Sequence, residues 1–395
     1  MLEQPISRRD VVRWGLSSAA AGVALMAHPR FVFPAQAEDE ELVPFLDTPR
    51  TPPNRLDWEM LDSWFTPQDQ VFNVQHYGIP EVAVDGFRLE VAGLVDQPRS
   101  LSLDDLRSLP RQDQLMTLEC SGNGASPGFM NAIYNSRWTG TPLLPLLQKC
   151  GVKSEAKEIV FFGHDTQEET LRPGTKNELK VEVPFGRSLS IEDAARLPLL
   201  LAYERNGEPI EQRNGAPVRL IVPGWYGIAN VKWLRRIEVR DRRYMGKYMG
   251  RDYVTVRGEK QGGEVVFVES SVGPMNLKSM IARVTRRKSS AGKVPLRAYG
   301  AAWNRDSSRI ATVEVRWDDG PWQTAVLDKE PRDQHSWIFF SIDLGDVLPG
   351  EHTLVSRAVD AGGRTQPSAE DDEIALKKTY WEAYQQWPRK IALDV

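Results

Sequence analysis

The feature that most restricts the fold of this chain of 395 residues is a change of pattern near Gly263. Beyond it, helical periodicity disappears until the end, and segments of alternating apolar and polar residues recur at short intervals. The segments are 296–303, 312–317, 322–327, 337–342 and 353–359, separated by Asp-Asp-Gly, Pro and Gly turns. Short alternating strands between turns are typical of an antiparallel sandwich. The pattern therefore predicts an immunoglobulin-like β-sandwich over residues 266–395.

The chain before this change mixes helical and strand-like periods. Residues 88–93 and 158–162 have the pattern of strands, and residues 102–109 that of a capped helix with an acidic first turn. Residues 38–67 are rich in Pro, Asp and Glu without a sustained period, which predicts an extended N-terminal arm. We therefore predict an α+β protein, with a mixed α/β domain over residues 68–265 and the sandwich after it.

Residues 1–37 have the pattern of a removable export signal. The pair Arg8 and Arg9 precedes a weakly apolar run over 15–27, and a small-x-small pattern follows at 35–37. A membrane anchor or a disordered tail is the alternative, but the apolar run falls short of the roughly 20 residues that a spanning helix needs. Paired arginines before such a run resemble a twin-arginine signal, which directs folded chains to export. We therefore expect a periplasmic protein without a membrane span.

Composition limits the metal chemistry and the partners of the chain. It has only two cysteines, Cys120 and Cys150, and a formal net charge of −4. Two cysteines are too few for a four-thiolate zinc site or an iron–sulfur cluster. The lysines and arginines are dispersed among acids without a basic stripe, which argues against nucleic acid as a partner.

Residues 116–124 form the most informative segment. An apolar run that looks like a strand ends at Cys120, and a turn rich in glycine follows it. A thiolate at the end of a strand, beside glycines that let a bulky ligand approach the backbone, suits a nucleophile or a metal ligand. In an oxidising compartment, a disulfide between Cys120 and Cys150 is the alternative.

A second group of candidate residues lies between 200 and 233. Arg219 and Lys232 lie beside runs that have the pattern of buried strands. Buried cations need an anion to offset the loss of their hydration, and an anionic ligand would supply it. The alternatives are an internal salt bridge or a side chain that extends its charge to solvent.

Together, these segments resemble the sulfite oxidase family of molybdenum enzymes over almost the whole chain after residue 37. Each matching segment alone is weak, but their order and spacing follow the family. The segments are 72–80, 117–124, 137–143, 163–165, 200–210, 216–234, 251–253 and a sandwich that ends near Trp381.

The resemblance implies roles for particular residues. Cys120 would bind molybdenum, whose remaining sulfur ligands come from one pterin dithiolene, and Cys150 would be an ordinary small residue. Tyr253 would face the metal-bound oxygen and assist proton movement. The positions that would hold the molybdopterin and its phosphate are Phe72, His76, Asp165, Asn214, Arg219, Asn230 and Lys232.

The chain departs from the family pattern at three positions. Val74 and Tyr384 stand where sulfite oxidases of the family have arginines that serve the substrate, and Asn214 stands in place of a cofactor-binding histidine. Sulfite is a small dianion, so the loss of two guanidinium groups should weaken its binding by a few kcal/mol. These departures place the sulfite specificity in doubt while leaving the oxygen-transfer residues intact.

The predicted function is a periplasmic molybdenum oxidoreductase that resembles sulfite dehydrogenases and oxidises a small sulfur-containing substrate. The chain has no Cys-x-x-Cys-His motif, so we expect no haem in it and a separate electron acceptor such as a cytochrome c. The sandwich resembles the dimerisation domain of the family, which implies a homodimer. Alternatives are a sulfane dehydrogenase, a member of the family that reduces sulfoxides, or a non-catalytic periplasmic binding or adhesion module.

Overall fold

The computed structural model describes residues 40–47, 55–126, 129–287, 294–329 and 333–394. The predicted export signal lies outside these described residues. The strands, in chain order, are β1 (Glu40–Val43), β2 (Leu89–Gly93), β3 (Arg99–Leu101), β4 (Gln112–Glu119), β5 (Ile133–Pro142), β6 (Glu158–Leu171), β7 (Leu179–Ser190), β8 (Leu200–Arg205), β9 (Glu208–Pro209), β10 (Arg219–Ile221), β11 (Leu234–Arg240), β12 (Val254–Gln261), β13 (Glu264–Ser271), β14 (Lys278–Arg287), β15 (Val294–Trp303), β16 (Ile310–Trp317), β17 (Gln323–Thr324), β18 (Val326–Leu327), β19 (Ile338–Val347), β20 (Gly350–Asp360) and β21 (Arg389–Leu393).

The described α-helices are short and lie between strands. They are α1 (Leu103–Ser108), α2 (Leu143–Cys150), α3 (Ile191–Arg196), α4 (Lys247–Gly250) and α5 (Asp372–Ala375). Helix α1 begins where the sequence predicted a helix, because Ser102 and Asp105 form a reciprocal capping box. Within the described residues, no helix combines the length and the apolar character that crossing a membrane requires.

Two sheets build the first domain. One has the strand order β3-β2-β11-β6-β7, in which β11 and β2 run parallel, and the other has the order β10-β8-β5-β4, with β9 beside β8. Buried side chains of both sheets, such as Phe161, Ile237 and Leu201, belong to one hydrophobic core. The Cys120 turn follows directly after β4 in the second sheet.

The second domain is the predicted antiparallel sandwich. Its sheets have the orders β1-β14-β15-β19-β18 and β17-β16-β20-β21, and buried apolar residues such as Ile281, Val313 and Phe340 fill the space between them. The fold class predicted from the sequence, an α+β domain followed by a β-sandwich, is therefore confirmed.

Two details differ from the expected organisation. The arm predicted to be merely extended contributes a strand, because β1 pairs antiparallel with β14 of the sandwich. Strands β12 and β13 form a separate two-stranded hairpin, and the boundary predicted between residues 265 and 266 falls inside it. Strand β1 has only four residues, and so short a segment does not indicate from its sequence that it will pair with the edge of a distant sheet.

Tryptophans join the arm to the sandwich. The Trp58 ring stacks on Trp303 of β15 at a centroid distance of 6.1 Å. The Nε1 atoms of Trp64 and Trp337 each donate to the backbone carbonyl of the other residue, at 3.3 and 3.1 Å. These reciprocal bonds satisfy two buried indole N–H groups and fix the arm against the sandwich.

Candidate active site

One cavity brings together all of the candidate site residues. Its lining includes every residue that the sequence analysis assigned to catalysis, to the metal or to the cofactor: Phe72, His76, Cys120, Asp165, Asn214, Arg219, Asn230, Lys232 and Tyr253. These residues come from distant parts of the first domain. A concave site with a few convergent polar groups is the usual form of a ligand site.

Cys120 lies at the end of β4 with its backbone anchored. Its N–H donates to the carbonyl of Ala132 at 2.9 Å, which fixes the turn that carries the thiol. Both cysteines are free, with Cys120 at the cavity and Cys150 buried at the end of α2, so the alternative of a disulfide is wrong. Burial raises the pKa of the Cys120 thiol, so a nearby cation or a metal must stabilise its thiolate form.

Tyr253 and His76 form a pair beside the cysteine. The Tyr253 hydroxyl lies 2.8 Å from His76 Nε2. Burial, followed by the charges of Lys232 and Lys247, lowers the pKa of His76 to about 4, and burial also raises the pKa of Tyr253. Both groups are therefore uncharged at neutral pH. Tyr253 has a φ of 55°, a conformation that non-glycine residues rarely adopt and that occurs preferentially at functional sites.

Arg219 and Lys232 supply positive charge to the cavity wall. Arg219 is 4% exposed, and its two Nη atoms donate to the carbonyls of Asn214 and Asn230 at 2.9 and 3.0 Å, while its Nε has no partner. Lys232 Nζ donates to Asn73 Oδ1 at 2.6 Å and to the carbonyl of Val74 at 2.9 Å. Burial, with the charge of Arg219, lowers the pKa of Lys232 to about 7. Neutral acceptors thus hold both cations, which leaves their charge available to an anion.

Asp165 contributes a buried carboxyl group. Its Oδ1 has no hydrogen-bond partner, and burial raises its pKa to about 6. A Cβ atom at Gly163 would lie 2.3 Å from this oxygen, so a side chain at position 163 would displace the carboxyl group from its observed position. An unpaired buried acceptor of this kind matches a ligand that presents N–H donors.

The remaining predicted cofactor residues differ in what their side chains do. Asn230 braces the backbone, because its Oδ1 accepts from Val222 N at 2.8 Å and its Nδ2 donates to the carbonyl of Tyr226 at 3.2 Å. The Nδ2 atom of Asn214 donates to Glu211 Oε2 at 3.0 Å. Phe72 packs against the ring of Tyr134 at 5.3 Å. Asn230 and Phe72 therefore shape the cavity.

The two positions that lack the expected arginines have different surroundings. Val74 lines the cavity. Tyr384 is buried away from it and donates to Glu373 Oε2 at 2.7 Å. Tyr384 therefore has a partner of its own and does not face the site.

Several residues at or near the site were not among the residues predicted from the sequence. Ser121 and Trp233 line the cavity, and Lys232 Nζ lies 4.4 Å from the centre of the Trp233 ring. Arg55, from the arm, lies over the ring of Phe129 at 4.9 Å, and its charge acts on Cys120. Ser121 was detectable, because it directly follows the cysteine, whereas Arg55 reaches the site only through the tertiary fold.

The unpaired groups of the cavity fit a molybdopterin cofactor. Arg219 Nε, Asp165 Oδ1 and Ser121 Oγ are buried without partners. A pterin ring offers N–H donors to the carboxylate, and its phosphate offers an anion to the cations. The donor set of one soft thiolate at Cys120 suits a metal that receives its other sulfur ligands from the cofactor.

Comparison with protein families gives two matches that follow the two domains. Residues 76–248 match the oxidoreductase molybdopterin binding domain, and residues 269–381 match the Mo-co oxidoreductase dimerisation domain. The first match ends before strand β12, and the second begins within strand β13.

Several characterised proteins are similar to the chain. Mitochondrial sulfite oxidase of Homo sapiens is 30% identical over 80% of this chain, and sulfite oxidase of Gallus gallus is 29% identical over 80%. The chain spans 59% of the length of the human protein and 71% of the chicken protein. Among solved structures, the sulfane dehydrogenase SoxCD from Paracoccus pantotrophus has a TM-score of 0.70 and 26% identity, and the match covers 95% of this chain and 96% of that one. The chain belongs to the sulfite oxidase family of molybdopterin oxidoreductases, with the C-terminal dimerisation domain of that family.

Proposed function

We propose that this chain is a molybdenum-dependent oxidoreductase that adds an oxygen atom to a reduced sulfur compound and passes the electrons to a separate cytochrome c-type acceptor. The observation that carries the proposal is the cavity itself. It combines one free thiol, Cys120, with the uncharged Tyr253–His76 pair and with the cations Arg219 and Lys232. The relatives named as sulfite oxidases and a sulfane dehydrogenase support sulfur as the reacting atom.

Each part of the cavity has a task in this proposal. Arg219 and Lys232 bind the anionic end of the cofactor, Asp165 accepts hydrogen bonds from its ring, and Cys120 binds the metal. When bound, the molybdenum cofactor supplies two-electron oxygen-atom transfer. The Tyr253 hydroxyl and His76 Nε2, 2.8 Å apart, hold and move a proton beside the reacting sulfur.

The cellular setting and the assembly are part of the proposal. The paired Arg8 and Arg9 at the start of the chain support export of the folded, cofactor-loaded protein to the periplasm. The match of residues 269–381 to a dimerisation domain supports a homodimer. A periplasmic location also suits a small cytochrome as the electron acceptor.

Metal analysis of the purified protein tests the proposal directly. After expression in a host that makes molybdopterin, we expect about one molybdenum per chain and sulfur-dependent reduction of ferricyanide or cytochrome c. A Cys120→Ser variant should lose this turnover, because serine replaces the soft thiolate ligand. Cys150→Ala is the matched control, since Cys150 is buried away from the cavity and should leave the molybdenum content unchanged.

Two results would contradict the proposal. A wild-type protein without molybdenum from such a host would favour a non-catalytic binding module. Full turnover in the Cys120→Ser variant would show that another residue holds the metal. The proposal is supported if the wild-type protein and the Cys150→Ala variant contain molybdenum and reduce the acceptor when a sulfur compound is added, while the Cys120→Ser variant does not.

A further inference from the structure

A second, more open cavity adjoins the first at His76 and Tyr253, which line both. We call this outer cavity the vestibule. Its other lining residues include Arg251, Asp252, Glu269, Tyr380 and Trp381. A substrate that approaches Cys120 past Tyr253 therefore meets these side chains.

The charges of the vestibule do not favour a small dianion. Among the described lining residues, Arg251 is the one strong base, while Asp252 and Glu269 are both acids. Neighbouring residues offset charges of both signs: an Nη atom of Arg251 lies 3.9 Å from Glu169, and Lys247 Nζ lies 3.9 Å from Asp252. A doubly charged anion in this cavity would therefore meet no excess of positive charge.

Other cations near the site are oriented away from the vestibule. The guanidinium group of the buried Arg187 donates to the backbone carbonyls of Tyr248 and Val272. Lys377 Nζ donates to the carbonyls of Trp381 and Glu382 at 2.9 and 2.8 Å. The Nη atoms of Arg187 and the Nζ atom of Lys377 are therefore held by backbone carbonyls.

Aromatic rings form the wall that continues inward from the vestibule. Trp381 stacks on Tyr253 with a centroid distance of 4.0 Å, and the centroid of the Tyr380 ring lies 4.0 Å from that of Trp381, with the two planes tilted. Tyr380 remains 58% exposed, so its ring is accessible from solvent. The faces of aromatic rings carry partial negative charge, which disfavours anions and favours apolar or aromatic groups.

We infer that the vestibule selects an uncharged organic sulfide, whose apolar substituent packs on Tyr380 and Trp381 while its sulfur reaches the Tyr253 hydroxyl. This inference rests on the proposed function and names its substrate class. Its reaction balances as R–S–R′ plus water giving R–S(=O)–R′, two protons and two electrons. The sulfur gains one oxygen atom, and two molecules of a one-electron acceptor protein take the electrons.

Binding to the oxidised holoprotein gives the first test, because it does not depend on turnover. Isothermal titration should show that methyl phenyl sulfoxide, the product of an aryl sulfide, binds to the protein. Sulfate, the product of sulfite, should bind with at least about tenfold lower affinity. Kinetic assays with ferricyanide should show the same order, with kcat/KM for methyl phenyl sulfide above that for sulfite. Added salt should change the rate with sulfite little, because the vestibule offers no excess charge for salt to screen.

Three variants assign the selectivity to the vestibule. Tyr380→Leu should weaken sulfoxide binding about fivefold, while the matched control Tyr380→Phe retains the ring and should bind as the wild type does. Glu269→Lys should raise kcat/KM for sulfite about tenfold, because it places a cation where an acid stood. Far-ultraviolet circular dichroism confirms that each variant is folded.

The outcomes separate this inference from the proposed function. A kcat/KM for sulfite that exceeds the value for the sulfide and falls with added salt overturns the inference but supports the proposed function. Loss of this sulfite activity in an Arg55→Gln variant would strengthen that conclusion. Sulfate binding tighter than sulfoxide binding overturns the inference even in protein that shows no turnover, and so does failure to bind either product. If the purified protein contains no molybdenum but still binds the sulfoxide more tightly than sulfate, the proposed function is wrong and the inference about the vestibule stands.

Discussion

Two buried cations near the Cys120 turn, Arg219 and Lys278, have opposite surroundings. Lys278 is 1% exposed, and its Nζ contacts Glu119 Oε1 at 2.7 Å and the carbonyls of Asn123 and Ala383 at 2.7 and 2.8 Å. Arg219 is equally enclosed, but its partners are two backbone carbonyls and its Nε has none. One cation is neutralised by the protein, and the other has no carboxylate partner in the described cavity wall.

The difference distinguishes a structural group from a binding group. Lys278 belongs to β14 of the sandwich, whereas Glu119 ends β4 and immediately precedes Cys120. The second carboxylate oxygen of Glu119 accepts from Trp303 Nε1 at 2.8 Å, which adds another bond between the domains. The Lys278–Glu119 pair therefore positions the cysteine turn against the sandwich, while the charge of Arg219 remains for a ligand.

The largest effect is expected at Lys278. Lys278→Met should lower the free energy of unfolding by about 3–5 kcal/mol, because it leaves the carboxylate of Glu119 buried without its counter-charge. Urea unfolding measures this change, with the exposed Lys176→Met as the matched control. The double variant Lys278→Met/Glu119→Gln should recover part of the loss. A single variant within about 1 kcal/mol of wild type would refute the structural role of the pair.

The pH dependence of the free energy of unfolding tests whether Lys232, like Arg219, lacks a neutralising partner in the protein. The pKa of Lys232 falls from 10.5 in the unfolded chain to about 7 in the folded, cofactor-free protein. Between these values, the unfolded chain binds a proton that the folded protein does not, so stability rises with pH by about 1 kcal/mol per unit, and it declines as pH falls towards 7. Urea unfolding across this range measures the slope.

The Lys232→Met variant is the control for that slope. It removes the titrating group and should flatten the rise between pH 7 and 10.5, while it leaves the dependence at lower pH in place. A variant that keeps the full slope would assign the titration to another group. Sulfate added to the wild-type protein should also reduce the slope, because a bound anion restores the charged form of the lysine.

At Arg219, stability and cofactor content should separate. Arg219→Met removes a buried charge that no described carboxylate neutralises, so the unfolding free energy of the cofactor-free protein should change by only about 1 kcal/mol. The molybdenum content of the protein expressed with cofactor should fall at least about tenfold, because the anionic end of the cofactor loses its guanidinium. A stability loss as large as that of Lys278→Met would erase the distinction between the two cations.

These contrasts also show which parts of the site the sequence can reveal. Cys120, Arg219 and Lys232 lie in continuous segments with a recognisable order, so the sequence alone predicted that they share a site. Asp165 was predicted in the same way, whereas the unpaired state of its oxygen depends on packing that local sequence does not encode. The side chains that join the domains gave no signal.

Lys278 illustrates why. It lies 159 residues from Glu119 in the chain, and its own segment has the pattern of an ordinary sandwich strand. Only the docking of the two domains makes it a partner of the cysteine turn. The strand in the arm, β1, was missed for a related reason, because its partner β14 lies more than two hundred residues further along.

The smallest effect is expected at an ion pair on the surface. Such a pair tests how much an ion pair contributes to stability when it is not buried. Arg111 and Glu204 form two hydrogen bonds at 3.1 and 2.8 Å, but the arginine side chain is 58% exposed. Solvent screens such a pair, so Arg111→Gln should cost about 0.2–1 kcal/mol in urea unfolding. The loss should shrink further with added salt. A cost comparable to that of Lys278→Met would mean that the geometry of an ion pair outweighs its burial, and the contrast between Lys278 and Arg219 would then need another explanation.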